Sequence, residues 1–114
     1  MKQATIVSFI MAVILLYPMC IFAGNTPSFV IVTAIDQRND GKFILDLSSP
    51  IQNSACATVL DRVTGDASTS AGKAMLQVSM SALLSGKRVY VETNNTCSEY
   101  AGIDSMSRIY VSSN

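Results

Sequence analysis

Histidine is absent from the 114-residue chain, and with it the side chain that most often serves as a general base or activates a serine or cysteine nucleophile. Carboxylates remain for acid and base chemistry, but no two of them have a spacing diagnostic of a catalytic pair. Gly65 and Gly72 flank a predicted helix start without the lysine and spacing of a phosphate-binding loop. We therefore predict no catalytic residue, no cofactor and no enzymatic activity. The carboxylates considered are Asp46, Asp61, Asp66, Glu92, Glu99 and Asp104.

An excess of positive charge is also missing. Charged residues make up 14% of the chain, with eight basic and eight acidic side chains. No basic surface is therefore expected to attract the phosphate backbone, and nucleic acid is excluded as a predicted partner. No internal repeat or low-complexity linker divides the chain, and its length fits one domain.

The amino-terminal segment has little charge and a short apolar run. Lys2 is its only charged residue, and the apolar centre at residues 10–16 is followed by Pro18 and by the small residues Ala23 and Gly24. This layout is typical of a signal peptide that is cleaved after Ala23. We expect residues 1–23 to be removed on export. Residues 24–114 would then form a single domain that is secreted or periplasmic and no longer attached to the membrane.

Two other interpretations of this segment stay open. A transmembrane anchor needs about 20 continuous apolar residues, and this run supplies them only by including Pro18 and Cys20. Cys20 also follows the apolar run where bacterial lipoproteins carry a lipid, but the bulky residues Tyr17, Pro18 and Met19 precede it instead of a small one. Cleavage after Ala23 is the interpretation that the layout favours.

Cysteine is scarce in the exported part of the chain. Once Cys20 leaves with the predicted signal peptide, only Cys56 and Cys97 remain. An exported chain meets an oxidising compartment, so the pair predicts a disulfide. Free thiols or metal ligands are the alternative, but two cysteines without any histidine provide too few ligands for a zinc site. We therefore predict one disulfide and no metal.

Alternating apolar residues predict five strands and one helix. Phe43, Leu45 and Leu47 share one face of a strand that follows a turn at Gly41, which predicts a β-hairpin. The strand before this turn is apolar on both faces, which is typical of a strand buried on two sides. A turn is predicted at residues 64–66. The result is a mainly β fold in the order β-β-β-α-β-β, with strands at residues 28–35, 42–47, 55–63, 87–93 and 106–111 and a helix at 70–84.

The predicted helix has two apolar stripes. Residues 71, 74, 75, 78 and 82 fall on one side, and the larger Leu76, Met80, Leu83 and Leu84 fall nearly opposite. Lys73 is the only charged residue in the helix. Single exposed apolar residues are common on protein surfaces, but four large side chains on one stripe predict a second buried contact. We expect this stripe to form the interface of a homo-oligomer.

Two tyrosines lie among polar side chains in the last third of the chain. In the strand at 87–93, valines at positions 89 and 91 are predicted to face inward, which turns Arg88, Tyr90 and Glu92 outward. Tyr100 follows in a predicted loop. Flat rings beside hydrogen-bonding groups suit a sugar or a protein surface. We predict ligand-binding residues at Arg88, Tyr90, Glu92 and Tyr100, and two ordinary half-buried tyrosines are the alternative.

Several short motifs form a recognisable set from Lys73 onward. They are Lys73-Ala74-Met75, Ala82-Leu83-Leu84-Ser85-Gly86-Lys87, Val89-Tyr90-Val91 and Cys97. Taken together, they resemble small exported bacterial proteins that are similar to the B subunit of subtilase cytotoxin. The resemblance covers the chain from Lys73 onward, with Cys56 at a suitable place for the partner cysteine.

This resemblance implies an OB-like five-stranded barrel with one helix between the third and fourth strands. In the toxin B subunits, five such barrels form a ring around central helices and bind glycans, so the implied partners are a cell-surface glycan and further copies of the chain. A toxic A subunit is the partner of such B subunits, although toxicity does not follow for this chain. The sugar-contacting residues of the toxins are not carried over, because the first half does not align with theirs. The alternative function is a periplasmic interaction or structural protein without a small-molecule ligand.

Overall fold

The computed structural model describes residues 24–113, and the predicted signal peptide, including Cys20, lies outside the described residues. The predicted order β-β-β-α-β-β is confirmed, and so is the mainly β fold with one helix. The elements are β1 (Val30–Gln37), β2 (Lys42–Leu47), β3 (Arg62–Asp66), α1 (Ser70–Ser85), β4 (Arg88–Thr93) and β5 (Asp104–Val111).

The five strands close into a barrel in the order β1-β2-β3-β5-β4, and β4 pairs back onto β1. Neighbouring strands run antiparallel except β3 and β5, which are parallel through the pairs Val63 with Asp104 and Thr64 with Ser105. α1 follows β3 in the chain and packs against β1, β3 and β5. This arrangement confirms the expected OB-like barrel with its helix between the third and fourth strands.

Alternation along the strands fills the barrel with apolar side chains. Each large side chain that moves from water into this interior stabilises the fold by about 1.5–3 kcal/mol. Val89 and Val91 of β4 point into the barrel as predicted, so Arg88, Tyr90 and Glu92 lie on its outer face. Fully buried core residues include Phe43, Leu45, Val63, Val89 and Val91.

β1 is not buried on two sides, which corrects the prediction for this segment. Val30 and Val32 are buried inside the barrel, whereas Ile31 is 42% exposed on the outer face. A small barrel has a single core on its inside, so the run of β-branched residues reflects strand propensity and not burial on both faces. The strand also begins and ends two residues later than predicted, at Val30 and Gln37.

The third strand lies further along the chain than predicted. A strand at 55–63 and a turn at 64–66 were expected, but residues 55–61 are irregular and β3 is Arg62–Asp66. Gly65 is buried within β3 because the Phe43 ring of the paired strand lies over it, and a Cβ at this position would overlap the ring. The glycine that resembled a turn signal is therefore a site of close approach.

The predicted disulfide is confirmed. Cys56 and Cys97 are bonded, with their Cα atoms 6.0 Å apart. The bond joins the irregular segment before β3 to the loop after β4. Across the sequence separation of 41 residues, the constraint on the unfolded chain stabilises the fold by about 4 kcal/mol.

α1 begins and ends at capping residues. Thr69 precedes the helix, and its Oγ1 accepts a hydrogen bond from the Gly72 N–H at 3.0 Å. Gly86 follows the helix with a φ of 70°, in the left-handed region that glycine adopts without steric cost. The start at Ser70 agrees with the prediction, and the end at Ser85 is one residue later. No helix among residues 24–113 has the length and apolar character needed to cross a membrane.

The barrel contacts the helix between its two apolar stripes. Ala82 of one stripe is fully buried, and Leu76 and Leu83 of the other are half-buried against the core. Met80 and Leu84 are 47% and 84% exposed. The stripe of large side chains was expected to lie opposite the barrel, but only two of its four members face outward.

Candidate ligand-binding surface

Three aromatic rings meet on the outer surface of the barrel. Tyr90 points outward from β4 because its two neighbours fill the interior, and the strand register places Tyr110 of β5 beside it. These two ring centroids are 5.3 Å apart, and Phe29 meets the Tyr90 and Tyr110 rings edge-on at 6.0 and 5.8 Å. Phe29 is 41% exposed and Tyr110 is 37% exposed. We call Phe29, Tyr90 and Tyr110 the aromatic cluster, and it presents an apolar surface to solvent.

Polar side chains border the aromatic cluster. The Arg108 guanidinium lies 4.6 Å from the centroid of the Tyr110 ring, a cation–π contact. Its Nη1 is 3.9 Å from Glu92 Oε1. Asn25 Nδ2 donates a hydrogen bond of 3.0 Å to the Tyr90 hydroxyl. The rings are thus surrounded by an amide, a carboxylate and a guanidinium.

A small pocket opens beside the aromatic cluster, where the described part of the chain begins. Its volume is about 290 Å³, at the lower end of the range for ligand pockets. A pocket of this size suits a small chemical group better than an extended ligand. We call it the amino-terminal pocket; its walls are Gly24, Asn25, Tyr90, Glu92, Thr93 and Ser107.

One wall of the amino-terminal pocket carries an unsatisfied hydroxyl. Thr93 Oγ1 is fully buried and has no hydrogen-bond partner among residues 24–113. Buried hydroxyls are normally paired, and an unpaired one costs about 1–3 kcal/mol. A Cβ added to Gly24 would come within 2.5 Å of this oxygen. Thr93 Oγ1 therefore lies directly against the backbone of Gly24.

The structure brings together only part of the predicted ligand site. Tyr90 and Glu92 both line the amino-terminal pocket. Arg88 is exposed at the start of β4, where it pairs with Ile31 of β1. Tyr100 lies elsewhere, because it contacts the turn that follows β1, whereas the aromatic cluster lies at the beginning of that strand.

Tyr100 holds the loop after β4 against the β1–β2 turn. Its hydroxyl donates a hydrogen bond of 3.1 Å to Asp40 Oδ2, and its ring lies near the charged groups of Arg38 and Lys42. Burial and then the Asp40 carboxylate raise the pKa of Tyr100. The Lys42 backbone N–H, which donates to Asp40 Oδ1 at 3.0 Å, lowers the pKa of Asp40. These contacts give Tyr100 a structural role at this place.

A carboxylate is buried next to the disulfide. Asp104 is fully buried; its Oδ2 accepts a hydrogen bond from Ser54 Oγ at 2.6 Å, and its Oδ1 has no partner within the described part of the chain. The sulfur atoms of Cys56 and Cys97 and a carboxylate oxygen of Asp104 lie within 4.8 Å of one another. Because the two sulfur atoms bond each other, they do not act as thiolate ligands for a metal.

Other carboxylates from the sequence analysis also make local contacts. Asp46 pairs with Arg62 at 3.2 Å between Oδ1 and Nε. Asp66 accepts hydrogen bonds from the hydroxyl and backbone N–H of Ser68, and these lower the pKa of Asp66. Glu99 Oε2 binds a set of hydroxyl groups from Thr64, Ser98 and Ser105. These carboxylates hold loops and strands in place.

The four residues predicted to form an oligomer interface line a single apolar groove. The groove lies between α1 and the end of β1 and has a volume of about 380 Å³. Met80 and Leu84 are its exposed side chains from the helix. Its walls are Ile35, Gln37, Leu76, Met80, Leu83 and Leu84.

Sequence reasoning missed Phe29, Tyr110 and Arg108 at the aromatic cluster. The alternation of β5 was a usable signal for Tyr110, because this residue lies between the apolar residues Ile109 and Val111. The pairing of β5 with β4 was not predictable from the sequence, since it depends on closure of the barrel.

Comparisons with family models, with curated proteins and with solved structures found no match to this chain.

Proposed function

We propose that the chain is an exported, non-enzymatic binding module whose aromatic cluster and amino-terminal pocket hold a glycan. The observation that carries this proposal is the exposed set of rings at Phe29, Tyr90 and Tyr110 beside a pocket with polar walls. The apolar face of a sugar ring packs on aromatic rings, while its hydroxyls exchange hydrogen bonds with the polar groups around them.

Two further observations support this proposal. The pattern of residues 1–23 is typical of a signal peptide, and the disulfide between Cys56 and Cys97 fits an oxidising compartment outside the cytosol. The motifs from Lys73 to Cys97 resemble proteins similar to a toxin B subunit, a class of glycan-binding barrels. On the same resemblance, the proposed assembly is a homo-oligomer, and a toxic A subunit is its proposed further partner.

Glycan-array binding by purified exported protein tests the proposal. We expect the wild type to bind a defined set of glycans and Tyr110→Ala or Tyr90→Ala to weaken binding about two- to tenfold, because each removes one stacking surface of about 0.5–1.5 kcal/mol. Tyr100→Phe is the control, since it changes a tyrosine of the loop after β4 that contacts the β1–β2 turn and not the aromatic cluster. Equal binding by Tyr110→Ala and wild type would contradict the proposed surface.

A second candidate is an interaction protein without a small-molecule ligand. The apolar groove beside α1 favours it, because Met80 and Leu84 expose large apolar area on a small domain. A well-folded sample that binds no glycan on the array would support this candidate over the first.

A further inference from the structure

The chain from Gly24 onward is held firmly on the barrel at the amino-terminal pocket. The Gly24 carbonyl accepts a hydrogen bond from the Thr93 N–H at 2.8 Å. Asn25 exchanges two backbone hydrogen bonds with Gln52, at 3.0 and 2.8 Å. Thr26 N–H donates to the Val91 carbonyl at 2.9 Å. The position of the Gly24 main chain is therefore set from two sides.

The unpaired Thr93 Oγ1 indicates that a hydrogen-bond donor is missing beside Gly24. This oxygen is fully buried and has no hydrogen-bond partner within residues 24–113. It lies beside the Gly24 Cα, where a Cβ would come within 2.5 Å of it. The backbone nitrogen of Gly24 is one bond from that Cα. A group with more than one N–H at this nitrogen would be well placed to supply the absent hydrogen bond.

We propose that cleavage after Ala23 makes the α-ammonium of Gly24 part of the amino-terminal pocket, where it donates to Thr93 Oγ1 and completes the binding site. The step is hydrolysis by a signal peptidase: water adds across the Ala23–Gly24 peptide bond, leaving a carboxylate on Ala23 and an ammonium on Gly24. Before cleavage, the same nitrogen is a neutral amide that carries a single hydrogen and is bonded to residue 23.

Processing thereby changes the charge of the pocket. The ammonium carries three donors, of which one binds Thr93 Oγ1 and the others face the pocket beside the Glu92 carboxylate. For its ligand, this inference rests on the proposed function: sugar oxygens accept from the ammonium, and sugar hydroxyls donate to Glu92. The unprocessed chain lacks this cation, so we expect it to bind glycans poorly.

The experiment compares chains with defined amino termini. Mass spectrometry of the exported protein should first show a chain that begins at Gly24. A chain that begins at Gly24 and one that begins at Ala23 are then released from a fusion protein, each with and without Thr93→Val. The strands, the helix and the core described above all lie within residues 24–113, so all four chains keep the parts needed to fold.

We expect the extra residue to lower the Tm by about 4–8 °C, and Thr93→Val to remove most of this difference, because the hydroxyl is the partner of the ammonium. An exported chain that begins elsewhere, equal Tm values, or a difference that survives Thr93→Val would each overturn the inference. The Tm comparison requires no ligand. If neither form binds a glycan while the Tm coupling is present, the proposed function fails and the inference about the ammonium stands.

Discussion

At the residue scale, Asp40 joins the β1–β2 turn to the loop after β4. Its carboxylate accepts hydrogen bonds from the Lys42 N–H and the Tyr100 hydroxyl, and the former is the main reason why its pKa lies below the ordinary value of 3.8. Because the pKa of Asp40 is lower in the folded than in the unfolded chain, the ionised carboxylate stabilises the fold at pH values above the ordinary pKa. This stabilisation is lost as the pH falls through the lowered pKa.

We predict that Asp40→Asn reduces the acid sensitivity of the fold. The amide oxygen of the substituted side chain keeps an acceptor for the Lys42 N–H but does not titrate, so the variant should lose less Tm than the wild type as the pH falls below about 4. Thermal unfolding followed by circular dichroism at a series of pH values measures this. Parallel pH profiles for the two proteins would show that Asp40 does not contribute to the acid response.

At the scale of elements, the pairing of β2 with β3 depends on one close contact. Phe43 and Gly65 are cross-strand partners, and the Phe43 ring occupies the space where a side chain on residue 65 would lie. This contact explains why the third strand was predicted at the wrong place. The sequence requires a glycine at position 65 because of the Phe43 ring, and that glycine was interpreted as part of a turn. The helix, by contrast, starts at its predicted residue, since its cap at Thr69 is a local signal.

We predict that Gly65→Ala destabilises the domain by about 1–3 kcal/mol, through overpacking against the Phe43 ring. Phe43→Leu alone should also destabilise it, because a large core side chain is truncated. In the double variant the smaller leucine leaves room for the new methyl group, so the combined loss should be smaller than the sum of the two. Denaturant unfolding of the four proteins gives the coupling, and additive losses would rule out this contact as the cause.

At the scale of the whole molecule, a proposed interface is the groove between α1 and the end of β1. Leu76 and Leu83 already pack partly on the core, so most of the gain from association would come from Met80 and Leu84. Burial of such side chains contributes about 1.5–3 kcal/mol each, and the entropy cost of association offsets much of it. Association through this face is therefore expected to depend on protein concentration.

We predict that Met80→Lys/Leu84→Lys yields a monomer under conditions in which the wild type assembles. Charged side chains in the groove would lose hydration on association without a partner of opposite charge. Light scattering over a range of concentrations measures the mass of each protein, and Leu60→Lys, an exposed apolar position that does not line the groove, serves as the control. A wild type that stays monomeric at high micromolar concentration would contradict the prediction, as would a double variant that assembles equally well.

Local patterns in the sequence determined the elements of this protein and its disulfide. Alternation of apolar residues predicted four of the five strands within a few residues, because side chains of a strand point to opposite faces in turn. The helix lies within one residue of its predicted bounds, because Thr69 and Gly86 are local capping signals. The pair Cys56 and Cys97 was the single pairing left once Cys20 was assigned to the signal peptide.

Tertiary structure alone decided which side chains share a surface. Closure of the barrel sets the register of β4 against β5 and so places Tyr110 beside Tyr90, and it brings Gly24 onto Thr93. The same closure carries Tyr100, ten residues after Tyr90 in the chain, to the turn after β1. Periodicity shows which way a side chain points from its own strand, but its neighbours come from strands distant in sequence, whose pairing depends on the packing of the whole core.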